Sequence, residues 1–208
     1  MPRLKKIAEN PVRVAEYAAC VTQRRDALRE TCAKLLATED EFVLEIGCGH
    51  GHFLAAYAAA HPDRLCIGID LVLERIARAN RKRERARLAN VHFIRAEAAD
   101  FLSALPDRAR FSAIYVLFPD PWPKRRHHKN RIMRAAFIKE VSARAGEGVR
   151  LYFRTDHEAY FAAGRAALQA HAGWRLVEEP WPFEVPTVFQ ERARGHHSLV
   201  AERLAVSP

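Results

Sequence analysis

Nowhere does this sequence carry an apolar run long enough to cross a bilayer. Its first residues, broken by Arg3, Lys5, Lys6, Glu9 and Arg13, also lack the apolar stretch of a signal peptide. Neither membrane insertion nor secretion is expected. Cysteine is sparse. Cys20, Cys32, Cys48 and Cys66 show no C-x-x-C spacing and no paired histidine motif. That excludes a disulfide framework and a zinc finger, and reads as free thiols in a reducing cytoplasm. Repeats, low-complexity tracts and compositional breaks are missing too. The 208 residues are read as a single domain, with 1–40 as a helical N-terminal appendage and 41–208 as the core.

What is present is a soluble globular composition, 49% apolar and 28% charged, with a formal net charge of +9. The excess of cations favours an anionic partner without choosing one. Two basic clusters stand out. Arg78, Arg81, Lys82, Arg83, Arg85 and Arg87 spread around a helix read over 71–88, which suits a solvated surface. Lys124, Arg125, Arg126, Lys129 and Arg131 form a strip with no acid among them, directly after a proline-alternating segment.

From residue 40 onward strand-like and helix-like segments alternate, the pattern of a mostly parallel sheet with covering helices. Strands are expected over 42–46, 65–69, 91–94, 112–118 and 149–153. Helices are expected over 12–36, 52–60, 71–88, 130–145 and 157–171, with one more through Phe101, Leu102 and Leu105. Trp174 to Val177 opens a closing hairpin whose last strand is Ser198 to Leu204, after a long connection marked by Pro180, Pro182 and Pro186.

Chemistry-bearing residues gather where strands end. Gly47, Gly49 and Gly51 form a G-x-G-x-G turn between the first strand and a helix, which lets a ligand approach the backbone. The spacing misses the dinucleotide fingerprint G-x-G-x-x-G and suits S-adenosylmethionine better. Asp70 closes the second strand, where a carboxylate can take both ribose hydroxyls. Glu97, beyond the third strand, is placed to read an adenine amino group. Helix capping is the plain alternative for either acid. Yet Glu45, Asp70, Glu97 and Asp120 occupy four successive strand ends, more than capping alone accounts for.

In Phe118-Pro119-Asp120-Pro121-Trp122-Pro123-Lys124 the prolines hold the chain extended, so Asp120 and Trp122 belong to a stiff loop. A carboxylate accepts from a base edge, an indole stacks on a base, and Lys124, Arg125 and Arg126 hold phosphate. His50, His52, His127, His128, His196 and His197 have no ligand spacing that defines a metal site, and no metal is expected.

These segments resemble the bacterial tRNA (guanine-N7-)-methyltransferases. The matching stretches are Glu45 to Gly51, Gly68-Ile69-Asp70, Phe118 to Lys124, Thr155-Asp156 and Thr187-Val188-Phe189-Gln190, in the family's order and over roughly residues 42 to 204. The resemblance implies a Rossmann-like class I methyltransferase fold with a C-terminal antiparallel hairpin. It implies S-adenosylmethionine as cofactor, and tRNA as partner, methylated at N7 of a variable-loop guanosine. By position, Glu45, Asp70, Glu97 and Asp120 fall on cofactor-binding acids, and Asp120 also on the active site. Lys124, Asp156, Thr187 and Gln190 fall on substrate positions. There the chain departs, because the family pattern Thr-x-x-Glu reads Thr-x-x-Gln here, with Glu191 following. Thr-x-x-Gln still suits a capping box, as does Thr155 with Glu158, so Asp156 could equally head a helix. Two other readings stay open: a methyltransferase acting on an exocyclic amino group, and a non-catalytic RNA-binding relative. Oligomeric state is not legible.

Overall fold

In the computed structural model, residues 11–185 and 195–205 are described, the first three of these by backbone alone. Thr187 and Gln190 lie outside the described residues.

The elements run α1 (Pro11–Leu35), β1 (Glu41–Ile46), α2 (His52–Ala60), β2 (Cys66–Asp70), α3 (Leu73–Arg85), β3 (Val91–Arg95), α4 (Ala98–Ala104) and β4 (Arg110–Leu117). A 3-10 turn (Arg125–Asn130) follows, then α5 (Ala135–Ser142), β5 (Ala145–Thr155), α6 (Glu158–Gln169), β6 (Trp174–Val177) and β7 (His197–Arg203). The seven strands order as β3-β2-β1-β4-β5-β7-β6. Pairings from β3 through β5 are parallel, and β7 runs antiparallel to both β5 and β6.

Strand alternation sorts the side chains into two cores. Phe42, Leu44 and Ile46 face α1, α4, α5 and α6, joining Ile114, Val116, Leu151 and Phe153. Val43 and Glu45 point the other way, toward α2 and α3, where Phe53, Leu54, Ile76, Phe93 and Tyr115 pack. The strands are nearly continuous runs of Val, Ile, Leu and Phe because both faces are covered. No helix among the described residues is long and apolar enough to cross a membrane.

Three expectations need correction. The helix read over 130–145 is interrupted: chain 131–134 is not helical and α5 starts only at Ala135, with Arg134 extended as its N-cap. The Ile132 and Met133 amides donate to the Tyr160 hydroxyl (3.0 and 3.2 Å), and beside them lies Arg131. Its guanidinium is buried, donating from Nε to the Pro121 carbonyl (2.8 Å) and lying 4.8 Å from the Tyr160 ring centre. Arg131 therefore does not belong to the exposed cationic strip. The Thr155–Glu158 capping box is not formed either. His157 is the N-cap of α6 and its Nδ1 accepts from the Tyr160 amide (3.2 Å), while Thr155 Oγ1 accepts from the His157 amide. The apolar side that the sequence predicts for the helix over 71–88, Leu73, Ile76 and Ala77, also differs: on α3 Leu73 is exposed and the buried positions are Ile76 and Ala79.

Chain order reverses across β1 and β4: β2 and β3 lie to one side of β1, and β4, β5 and the hairpin to the other. Such a switch point leaves a crevice at the carboxyl ends of the two strands. The register pairs Glu45 with Tyr115 and Ile46 with Val116, so the glycine turn and the Asp120 loop leave the sheet side by side.

Candidate active site

Five acids stand along one edge of the sheet, in the spatial order Glu97, Asp70, Glu45, Asp120, Asp156. Main-chain bonds stitch the segments together. Gly47 and Cys48 amides both donate to the Ile69 carbonyl, Ala96 donates to Asp70, and Phe118 donates to Arg154.

Glu45 is the most constrained of them. It is 4% exposed, under the first turn of α2, where the Leu54 amide donates to it and the helix's positive end supports it. The other oxygen, Oε2, has no hydrogen-bond partner. Burial is the main cause that pushes its carboxyl up to about 8, with the nearby charge of Asp70 adding to it. A buried acceptor without a donor is costly, and it demands a ligand bearing a donor, best a cation.

The glycines divide by what surrounds them. Gly51 is left-handed (φ 66°), and a Cβ there would sit 2.6 Å from the Phe93 ring and 2.9 Å from Ala79 Cβ. Its role is close packing of α2 against α3 and β3. Gly47 and Gly49 are also left-handed, but a Cβ on either would meet nothing within 4 Å. Packing does not explain them, and open space above two adjacent turns suits a ligand lying against the backbone.

Asp70 organises this turn. Its Oδ2 accepts from the Gly49 amide (3.1 Å), its Oδ1 from the Val72 amide (2.8 Å), and Arg75 stands 3.5 Å away. Each oxygen keeps a lone pair for a hydroxyl. Glu97 is the N-cap residue of α4 yet makes no capping bond, which leaves its exposed carboxylate available. Next to these acids Leu71, Val72 and Leu73 form an exposed apolar ledge. The sequence places them at the start of the helix read over 71–88. The signal available was three consecutive aliphatics directly after a strand-closing acid. An apolar wall beside two acids suits a purine, whose flat faces stack and whose edge bonds.

On the β4 side, Phe118 (φ 48°) and Trp122 (φ 44°) are left-handed although neither is glycine and each precedes a proline. Left-handed backbone costs roughly 1–2 kcal/mol at each. Such a loop persists only when its surroundings over-determine it. The Arg131 tie to Pro121 and the Phe118 amide bond to Arg154 do so. The result is an exposed Asp120 beside a half-buried Trp122, whose ring meets His127 edge-on at 5.8 Å. Lys124, Arg125 and Arg126 follow, exposed and without an ion pair to any other described residue. Asp156, released from capping by His157, is exposed at the neighbouring strand end. Among the described residues no group of three or more His, Cys, Asp or Glu could hold a metal ion.

The residues present fit a cationic, ribose-bearing ligand: a buried carboxylate with one unpartnered oxygen, two open glycines, a second carboxylate at the next strand end and an apolar ledge. Comparison with known proteins agrees with this chemistry. A family model described as "Putative methyltransferase" matches residues 39–195. A tRNA (guanine-N(7)-)-methyltransferase of Thermus thermophilus is 36% identical over 148 residues, covering 71% of this chain and 48% of that protein. One of Hydrogenovibrio crunogenus is 32% identical over 180 residues, covering 82% and 75%. The chain spans about half the length of several of the curated relatives it matches. In fold, a methyltransferase from Pyrococcus furiosus superposes with a TM-score of 0.57 at 18% identity, covering 85% of this chain and 83% of that one. The sheet is thus the Rossmann-like methyltransferase sheet, a fold that implies S-adenosylmethionine as the methyl donor, and the chain belongs to the tRNA (guanine-N7-)-methyltransferase family.

Proposed function

We propose that this protein transfers a methyl group from S-adenosylmethionine to N7 of a guanosine in the variable loop of tRNA. The single observation that carries the reading is the juxtaposition, across the β1–β4 switch point, of a buried Glu45 with one unpartnered oxygen and two open glycines beside it with a strained loop holding Asp120, Trp122 and three cations that form no ion pair among the described residues. One half suits a sulfonium donor with an ammonium group, the other an aromatic base carried on phosphate.

On this reading Glu45 would take the donor's cationic part, Gly47 and Gly49 would give it room, and Asp70 would hold its ribose. Glu97 would meet the adenine edge, with the apolar ledge as its wall. S-adenosylmethionine supplies an electrophilic methyl on a positively charged sulfur. Guanine N7 carries an in-plane lone pair outside the aromatic sextet, so no proton has to leave before attack. The protein's part is alignment and exclusion of water. Asp120 would accept from the guanine N–H edge, fixing the base in plane. It would also offset the positive charge that the purine acquires as N7 is alkylated. Trp122 would wall the base pocket, and Lys124, Arg125 and Arg126 would grip backbone phosphates. Asp156 is a second acceptor for the base edge. Thr187 and Gln190 belong to this reading by resemblance alone. The four free thiols support a cytoplasmic setting.

The test is transfer of radiolabelled methyl to bulk tRNA lacking the modification, followed by nuclease digestion and identification of the nucleoside by mass spectrometry. Label in 7-methylguanosine is expected. Label on an exocyclic amino nitrogen would replace this reading with the amino-methylating one. Cofactor and tRNA binding without any transfer would make the chain a non-catalytic relative.

A further inference from the structure

Between β6 and β7 the chain does not turn directly. Residues 178–185 run across the sheet face on the α2 side without regular secondary structure, and side chains anchor them. Trp181 meets Tyr152 edge-on at 5.4 Å, and Phe183 packs against Phe53 and Tyr57. Two arginines on the same face of β5 supply the polar ties: Arg150 to Glu179, and Arg154 to Glu184. A cleft of about 520 Å³ opens between this strap and the hairpin, lined by Arg154, Trp181, Ser198 and Val200 among others. The strap is thus pinned at points and not packed down along its length.

Arg154 is the tighter pin. It is 4% exposed and every nitrogen is used: Nη1 and Nη2 donate to the two Glu184 oxygens at 2.9 and 2.7 Å, and Nε donates to Ser198 Oγ at 2.9 Å. The guanidinium lies 3.9 Å from the Trp181 ring centre. A bidentate pair between a buried guanidinium and a half-exposed carboxylate adds little net stability, but fixes geometry closely. The same residue reaches the other half of the site through its backbone, because its carbonyl accepts the Phe118 amide at 2.8 Å. Thr155 and Asp156 follow it directly.

We infer that Arg154 is a positioning residue for the RNA side of the site, its side chain setting the 178–185 strap and its carbonyl setting the Phe118–Asp120 loop. The inference rests on the tRNA-methylating reading and deepens it. The strap follows β5 from the Arg150–Glu179 tie to the Arg154–Glu184 tie, toward the strand ends where Asp120 and Asp156 stand exposed. A side-chain substitution at Arg154 removes the strap's pin and leaves the carbonyl in place. Substrate capture should therefore suffer while the methyl-transfer loop and the cofactor half do not.

The test compares Arg154→Met, which keeps the shape of the stem, with Glu184→Gln on the half-exposed partner, which leaves the core untouched if the first variant folds poorly. Three quantities are read: the S-adenosylmethionine Kd by calorimetry, kcat and KM for tRNA, and direct tRNA binding by filter retention. KM and the tRNA Kd should rise roughly tenfold with kcat and the cofactor Kd within about twofold of the parent. Arg154→Lys, with charge but no fork, should fall between. Unchanged KM and tRNA Kd in both variants, or a parallel loss of cofactor binding and kcat, would overturn the inference. If the parent protein transferred no methyl to tRNA the function reading would fail. The tRNA-binding arm would still decide the role of Arg154.

Discussion

On the proposed reading Glu45 makes the cofactor pocket titratable, and the consequence is measurable. With its carboxyl pushed up to about 8, roughly nine in ten molecules carry a proton there at pH 7. A cation brought to the orphaned Oε2 favours the carboxylate and drives the group's pKa down. Binding of S-adenosylmethionine at pH 7 should therefore expel close to one proton, about 0.9 by the same arithmetic. Affinity should climb about tenfold between pH 6 and pH 7, and level off once Glu45 ionises unaided above pH 8. Calorimetric titrations in buffers of high and low ionisation enthalpy, Tris and PIPES, give the proton count from the difference in apparent heat. Glu45→Gln is the control: it retains the shape, binds more weakly and shows no buffer dependence. Equal heats in the two buffers for the parent protein, or a flat pH profile from 6 to 8, would refute the placing of a cation against Glu45.

The same group sets a sign for stability. The native state holds a proton on Glu45 that the unfolded chain gives up near pH 4.5, so its contribution falls as pH rises from about 4.5 to 8. Glu45→Gln should raise the denaturation midpoint relative to the parent more at pH 8 than at pH 6. Gly51→Ala should cost roughly 2–4 kcal/mol in urea unfolding, from left-handed backbone plus the clash with Phe93. Gly49→Ala, with open space around its Cβ, should weaken cofactor affinity at a cost of only about 1–2 kcal/mol in stability. Neutralising Lys124, Arg125 and Arg126 one at a time should reduce the log–log salt slope of tRNA binding by ~0.7–0.9 for each phosphate no longer held. Arg131→Met should leave that slope unchanged and destabilise the loop by about 1–3 kcal/mol, because its bond to Pro121 is gone.

Much of the sheet edge was legible because its signals are local. Strands buried on both faces read as aliphatic runs, a strand-closing acid needs only the next residue to be seen, and alternating prolines declare a stiff loop, though the expected extended backbone is replaced by left-handed Phe118 and Trp122. The departures all involve partners far along the chain or burial set by packing. Arg131 looks like one more cation of a strip until Tyr160, on a helix beyond the next strand, supplies the ring that draws it inward. Thr155 and Glu158 spell a capping box, but His157 lies between them and its imidazole reaches the Tyr160 amide first. Leu71 and Val72 lie ahead of α3, which starts only at Leu73, so the helix read over 71–88 does not cover them, and all three stay exposed. The burial that singles out Glu45 comes from α2 lying over it, and no spacing in the sequence expresses that.

The arrangement of charge also bears on why a chain with a net +9 keeps five acids at one edge. Lys124, Arg125 and Arg126 are exposed next to that edge and act over a Debye length to draw a polyanion in. The acids act only at short range, and the one with an unpartnered oxygen is shut under α2, away from that polyanion. An RNA phosphate and Glu45 therefore never compete for the same space. On the proposed reaction a positive charge leaves the sulfur above the acid floor and appears on the purine next to Asp120. The spent cofactor loses part of its attraction to the pocket, while the methylated base gains attraction to the loop. Cofactor turnover would then be favoured by the carboxylates that hold the donor, while Asp120 retains the cationic base and the like charge of Lys124 to Arg126 opposes that retention.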